Sequence, residues 1–272
     1  MRNLIFLSIF TILFISCRNF QNITTKTGDY KLIWHDEFNY IGLPDSTKWS
    51  YDTIGNSYGW GNNEKQYYTV GKPENIFVKN GILTINAQKD SVKGKNYTSA
   101  RIITKGKGDW LYGRFEIRAK LPTGRGTWPA IWMLPSEKFY GRWPLSGEID
   151  IMEQVGNDPS TIHGSSHTKK YNHVIGTLKT SKITVPTATS EFHNYILEWE
   201  KDEYRMYVDD KLYFTFYNEH NGFEVWPFDK PFYLILNLAI GGNWGGNKGI
   251  DNSIFPVKME VDYVRVYSKQ NK

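Results

Sequence analysis

Three carboxylates fall within the run Gly147-Glu148-Ile149-Asp150-Ile151-Met152-Glu153. On a helix, Glu148 and Asp150 would sit about 200° apart and Glu153 about 140° from Glu148, so the acids would not converge. On a strand, Glu148 and Asp150 share one face while Ile149 and Ile151 take the other. Glu153 then faces the wrong way unless one extra residue is absorbed, and a β-bulge near Ile151-Met152 absorbs it. Three acids on one sheet face repel one another, and their mutual field raises at least one pKa. A carboxyl kept protonated near neutral pH can act as a general acid while its ionised neighbour acts as a nucleophile. Glycoside hydrolysis needs that pair, and its retaining form needs the two carboxyls about 5–5.5 Å apart. A solvated acidic face or a cation site has the same spacing, so spacing alone leaves these readings open.

Other side chains bear on the choice. His163 and His167 share a strand face, but no His-Glu-x-x-His and no cysteine ligand supports zinc, so hydrogen bonding in a cleft suits His167 better. His35, His173, His193 and His220 read as ordinary surface or core residues. Trp128 and Trp132 are an even number of residues apart, which places both on one face of a strand. Those rings, and Trp143 after them, are either core or flat platforms for the apolar faces of sugars. Trp244 lies in Gly241-Gly242-Asn243-Trp244-Gly245-Gly246. No Lys-Ser/Thr or helical pattern follows, as a phosphate loop requires, so the glycines are better read as presenting one Trp over a cleft.

The elements that must position these groups read as strands. Ile82–Ile85, Gly113–Lys120, Tyr195–Trp199, Tyr204–Val208, Phe232–Ile240 and Met259–Tyr267 are β-rich runs divided by turn residues. In Gly113–Lys120, Phe115, Ile117 and Ala119 point one way and the charged residues the other. Asp209-Asp210-Lys211 reads as a hairpin turn, and no long stretch has helical spacing. Many short strands with frequent turns predict an all-β sandwich or jelly roll. Phe232–Ile240 is apolar on both faces except at Asn237, which is either a satisfied core asparagine or part of a cleft.

Composition sets outer bounds. The 272 residues suffice for one large β domain. With 40% hydrophobic and 22% charged residues the body is globular rather than disordered. The net charge is +5, but its Lys and Arg are scattered among 28 acidic residues, which argues against a nucleic-acid partner. At the N-terminus a short basic start precedes an apolar run from Leu4 to Ser16, too short to span a bilayer comfortably. Residues 1–16 read as a signal peptide and 17–29 as a polar tether. Residues 30–272 are expected to form the catalytic domain. Leu13-Phe14-Ile15-Ser16-Cys17 resembles a bacterial lipobox, which makes Cys17 the lipid-modified first residue of an exported protein at the outer membrane or cell surface. An ordinary signal peptide, leaving a periplasmic or secreted protein, is the alternative. Cys17 is the only cysteine, so the mature chain has no intrachain disulfide, and a monomer is expected.

Glu148-Ile149-Asp150-Ile151-Met152-Glu153 resembles the motif of glycoside hydrolase family 16 in its bulged form. Further segments resemble the family in the expected order from about Tyr30 onward. They include Trp34-His35-Asp36-Glu37-Phe38, Gly61-Asn62-Asn63-Glu64, Trp128 to Pro135, His163 to Thr168, Asn237 to Gly242 and Val261 to Tyr267. The bulged motif and the upstream Trp143-Pro144 look most like the laminarinase branch of endo-β-1,3-glucanases. The resemblance implies a β-jelly roll of two curved antiparallel sheets, with a cleft on the concave face. It implies Glu148 as nucleophile, Glu153 as general acid/base and Asp150 as the helper between them. Asn62, Glu64, Arg101, Trp128, Trp132, Trp143, His167, Asn237 and Trp244 match cleft positions. No cofactor is implied for catalysis. A structural Ca²⁺ at Glu37, Gly81 and Asp262 is implied by resemblance alone, since no EF-hand loop is present. The expected activity is endo-hydrolysis of β-1,3 linkages in laminarin-type or mixed-linkage β-glucan. Alternatives are a related hydrolase of agar, porphyran or carrageenan, and a non-catalytic glucan-binding module, which would be expected to lack a catalytic Glu.

Overall fold

A computed structural model describes residues 29–270. Its strands are β1 (Tyr30–Asp36), β2 (Ser50–Tyr51), β3 (Gln66–Tyr68), β4 (Ile76–Lys79), β5 (Ile82–Ala87) and β6 (Tyr97–Ser99). Next come β7 (Arg101–Ile103), β8 (Asp109–Trp110), β9 (Gly113–Lys120), β10 (Thr127–Pro135), β11 (Glu148–Glu153) and β12 (Thr161–His167). The last are β13 (Lys179–Thr184), β14 (His193–Trp199), β15 (Glu203–Val208), β16 (Lys211–Tyr217), β17 (Phe232–Ile240) and β18 (Val257–Lys269). The only helical turns among the described residues are short 3₁₀ segments. The predicted signal peptide and the tether up to residue 28 lie outside the described residues.

Two antiparallel sheets dominate. One runs β16-β15-β14-β9-β18-β5-β4, with β1 also on β18. The other runs β13-β12-β11-β10-β17-β7-β2, with β8 also on β17. Period-two patterning explains how they pack. Phe115, Ile117 and Ala119 of β9 and Met259, Val261, Val264 and Val266 of β18 form the inner face of the first sheet. Ile131 and Met133 of β10, Ile149 of β11, and Leu234, Leu236 and Leu238 of β17 meet them from the second. The outward positions of the first sheet carry charge instead: Arg114 bonds Glu116 and Glu198, and Lys120 pairs with Glu260. Asp209 and Asp210 form the predicted turn between β15 and β16.

Candidate active site

The predicted bulge is present and sets the chemistry. Between β10 and β11, Ile131 pairs with Met152 and Trp132 with Asp150, so Ile151 is skipped. Between β11 and β12 the register shifts between Asp150 and Glu153. Ile151 and Met152 are consecutive, yet both are fully buried in the core. The extra inward residue turns Glu153 back to the face that holds Glu148 and Asp150. Tyr213 of β16 reaches across from the other sheet and donates its hydroxyl to the Ile151 carbonyl at 2.5 Å, which anchors the bulge.

Glu148 and Glu153 each receive an indole N–H. Trp143 Nε1 donates to Glu148 Oε2 at 3.0 Å, and Trp128 Nε1 donates to Glu153 Oε1 at 3.0 Å. His167 Nε2 lies 3.1 Å from Asp150 Oδ2 and 3.6 Å from Glu148 Oε1. Burial pushes all three carboxyls up to about 8, and the charge of Asp150 adds to the rise at Glu148 and Glu153. His167 and the two indoles work against that rise. The three acids therefore titrate as one coupled cluster that retains protons near neutral pH. The hydrogen bond between Glu148 and Asp150 favours charge on Asp150, and the Trp143 indole favours charge on Glu148. Burial and the charge of Asp150 raise Glu153 as they raise Glu148, so each glutamate can hold a proton near neutral pH.

Around the acids opens a cleft of about 790 Å³, lined by every predicted cleft residue. Trp132 donates to Asn237 Oδ1 at 2.7 Å, and Asn237 donates on to the Tyr68 hydroxyl at 3.1 Å. Asn237 is thus both a satisfied buried asparagine and part of the cleft floor. Gln66 Nε2 donates to Glu64 Oε2 at 2.6 Å, which ties the buried Glu64 to the edge of β17 through the Gln66 bond from Ile240 N. The Arg101 guanidinium lies 4.3 Å from the Trp60 ring and 4.7 Å from the Trp132 ring, with Asp52 3.1 Å from its Nε. Stacking between two rings fixes the plane of the fork.

Trp244 is held at the opposite end, edge-on to Trp128 at 5.5 Å and to His163 at 4.9 Å. Its loop is tied on both sides. Asn63 Nδ2 donates to Asn243 Oδ1 at 2.8 Å, and Asn157 Nδ2 donates to Asn247 Oδ1 at 2.9 Å. Gly245 is needed for close approach: a Cβ there would meet the Gly241 carbonyl at 2.7 Å and Trp128 Cβ at 2.9 Å.

His173 and Trp60 are among the cleft residues that escaped the sequence reading. His173, expected to be ordinary, stands 5.4 Å from the Trp143 ring and 5.3 Å from the His167 ring. It gets there because Asn172 caps the short turn His173–Ile175, accepting from Val174 N at 3.1 Å and Ile175 N at 3.3 Å. No spacing rule marks that. Trp60 could have been found, because Gly59 and Gly61 flank it just ahead of Asn62, much as glycines flank the Trp244 segment.

At Glu37, Gly81 and Asp262, where resemblance implies a structural Ca²⁺ served partly by backbone oxygens, the two carboxylates are paired with arginines. Both oxygens of Glu37 accept from Arg265, at 2.8 and 2.7 Å. Asp262 sits in a bulge of β18 and pairs with Arg118. Gly81 is at a positive-φ turn position ahead of β5.

The pattern of the glycosyl hydrolases family 16 matches residues 63–265. A beta-glucanase of Rhodothermus marinus is 54% identical over 249 residues, covering 89% of this chain and 86% of that protein. The X-ray structure of the laminarinase from Rhodothermus marinus superposes with a TM-score of 0.87 at 53% identity, covering 89% of this chain and 98% of that one. SCLam, a non-specific endo-beta-1,3(4)-glucanase, gives a TM-score of 0.85 at 54% identity, covering 89% of this chain and 92% of that one. A bulged strand that turns three acids into one cleft thus sits inside a similarity running along nearly the whole described chain, and the chain belongs to glycosyl hydrolases family 16.

Proposed function

We propose that this chain is a retaining endo-hydrolase of β-1,3-glucan, acting on laminarin-type or mixed-linkage polymers. The observation that carries the reading is the acid arrangement: two glutamates flank Asp150 on one face, and each receives its own indole N–H. Its similarity to a laminarinase and to an endo-beta-1,3(4)-glucanase supports the linkage. In the first step Glu153 gives its proton to the glycosidic oxygen while Glu148 attacks the anomeric carbon, and the C–O bond to the leaving chain breaks. The resulting glycosyl ester on Glu148 is then opened by water, whose proton returns to Glu153. Asp150 shares a hydrogen bond with Glu148 and steadies its charge as the ester forms and breaks. The stacked rings and Arg101 supply flat and hydrogen-bonding walls for successive sugars.

Beyond the catalytic domain, we propose export and attachment to a membrane through a lipid on Cys17, as the lipobox-like run before it suggests. A monomer fits the outer face of the first sheet, which is laced with ion pairs rather than apolar side chains. The test of substrate is a product assay on laminarin, lichenan, curdlan, agarose and porphyran. Short oligosaccharides from laminarin are expected. Products from agarose or porphyran with laminarin untouched would keep the chemistry and overturn the polymer.

A further inference from the structure

Among the described residues, one group of acids and histidines gathers three potential metal ligands: Glu148, Asp150 and His167, with ligand atoms all within 4.8 Å of one another. It is not the His163/His167 pair that strand spacing suggests. Ligand atoms at 2.0–2.2 Å around a tetrahedral Zn²⁺ lie about 3.3–3.6 Å apart. His167 Nε2 stands 3.1 Å from Asp150 Oδ2 and 3.6 Å from Glu148 Oε1, which brackets that range. A further observation points to a ligand. Asp150 is 2% exposed, yet its Oδ2, aimed at His167, makes no hydrogen bond. His167 is 6% exposed and its Nε2 faces Asp150 and Glu148, so an ion bound there takes the place of the proton that these carboxylates favour on Nε2. Trp143 holds Glu148 by its other oxygen, Oε2, and leaves Oε1 facing the cluster. The fourth tetrahedral position opens on the cleft.

We propose that Glu148, Asp150 and His167 form a site for a Zn²⁺-like divalent ion that inhibits the enzyme by excluding substrate. Oxygen and imidazole ligands suit Zn²⁺ and Cu²⁺ better than the hard ions Ca²⁺ and Mg²⁺. The bound ion takes the glutamate oxygen that faces the cluster and stands where the reacting sugar must sit. Inhibition rests on Glu148 being the nucleophile, whereas binding of the ion does not.

The test has two arms. In the first, ZnCl₂ is titrated into the metal-free full chain by calorimetry. One site is expected. His167→Gln and Asp150→Asn should each weaken it by more than the about 10-fold that loss of even an outer-sphere partner costs. His193→Ala, which removes a histidine of the other sheet paired with Asp209, should leave it unchanged. A wild-type isotherm that persists in both cluster variants overturns the proposal. In the second arm, wild-type kinetics on laminarin are measured with rising Zn²⁺, so the arm survives any folding failure of the variants. KM should climb while kcat holds, with full reversal by EDTA. A fall in kcat at constant KM, or no inhibition at all, overturns it. If laminarin is not the substrate, the calorimetry still decides the site, and the two failures stay distinct.

Discussion

Replacing Trp143 with phenylalanine keeps a ring against His173 and His167 and removes one thing, the N–H that Glu148 Oε2 accepts at 3.0 Å. A hydrogen bond to a charged group is worth about 1.5–3 kcal/mol, or roughly 10- to 150-fold in rate. Trp143 is 40% exposed, so water can replace part of the lost donor. The lower end, about a 10-fold fall in kcat/KM, is the expected size. The direction in pH is firmer. The indole favours the anion, so its loss moves the Glu148 pKa further up from about 8. Glu148 must be ionised to attack, and the acid limb of kcat/KM therefore moves to higher pH. Trp128→Phe is the mirror case: it removes the donor from Glu153, whose protonated form is the active one, so the basic limb moves to higher pH. The assay is kcat/KM on laminarin across the pH range for all three proteins. If both variants lose activity with limbs unmoved, the indoles only pack against sugar, and the electrostatic argument fails.

The remaining predictions concern the acids and the N-terminus. Glu148→Gln should lower turnover by at least about 10⁴-fold, as loss of a nucleophile does, with glucan retention on an affinity gel nearly intact; near wild-type turnover in a clean preparation would refute its role. Glu153→Gln should stabilise the fold at alkaline pH. Its folded pKa is raised to about 8, so the native state holds the proton more tightly than the unfolded chain, and wild-type stability falls as pH rises from the ordinary carboxylate range to about 8. The amide removes that loss, worth about 1–3 kcal/mol and a few degrees of Tm at pH 8; an equal Tm for both proteins at pH 5 and pH 8 would contradict it. Cys17→Ser should move the exported protein from the detergent phase to water in a partitioning assay, and equal solubility of both forms would end the lipid-anchor reading.

Much of this site was legible because strands report their faces. Strict alternation puts Glu153 on the face opposite Glu148 and Asp150, so a bulge near Ile151-Met152 was the way to bring the three acids together, and both residues are buried there. Gly113–Lys120 and Phe232–Ile240 match β9 and β17 end to end, since alternation marks the first and continuous apolarity the second. What stayed hidden is where side chains point once the backbone leaves a strand. Trp143 was placed near the acids as a platform, but spacing says nothing of which ring edge meets Glu148. His173 depends on a cap by Asn172, and the bulge depends on Tyr213 arriving from the other sheet. The arginines that pair with Glu37 and Asp262, Arg265 and Arg118, had no signal in the spacing of those acids.

The account turns on a two-step reaction through Glu148 with Glu153 as acid and then base. Proton NMR of the first products released from laminarin reads it directly, before mutarotation scrambles the new reducing end. Attack by Glu148 on one face, followed by water entering from the face the leaving chain vacated, predicts that the nascent anomer is β, like the linkage that was cut. A first-formed α anomer would mean that water attacks directly, and would contradict the assignment of Glu148 as nucleophile.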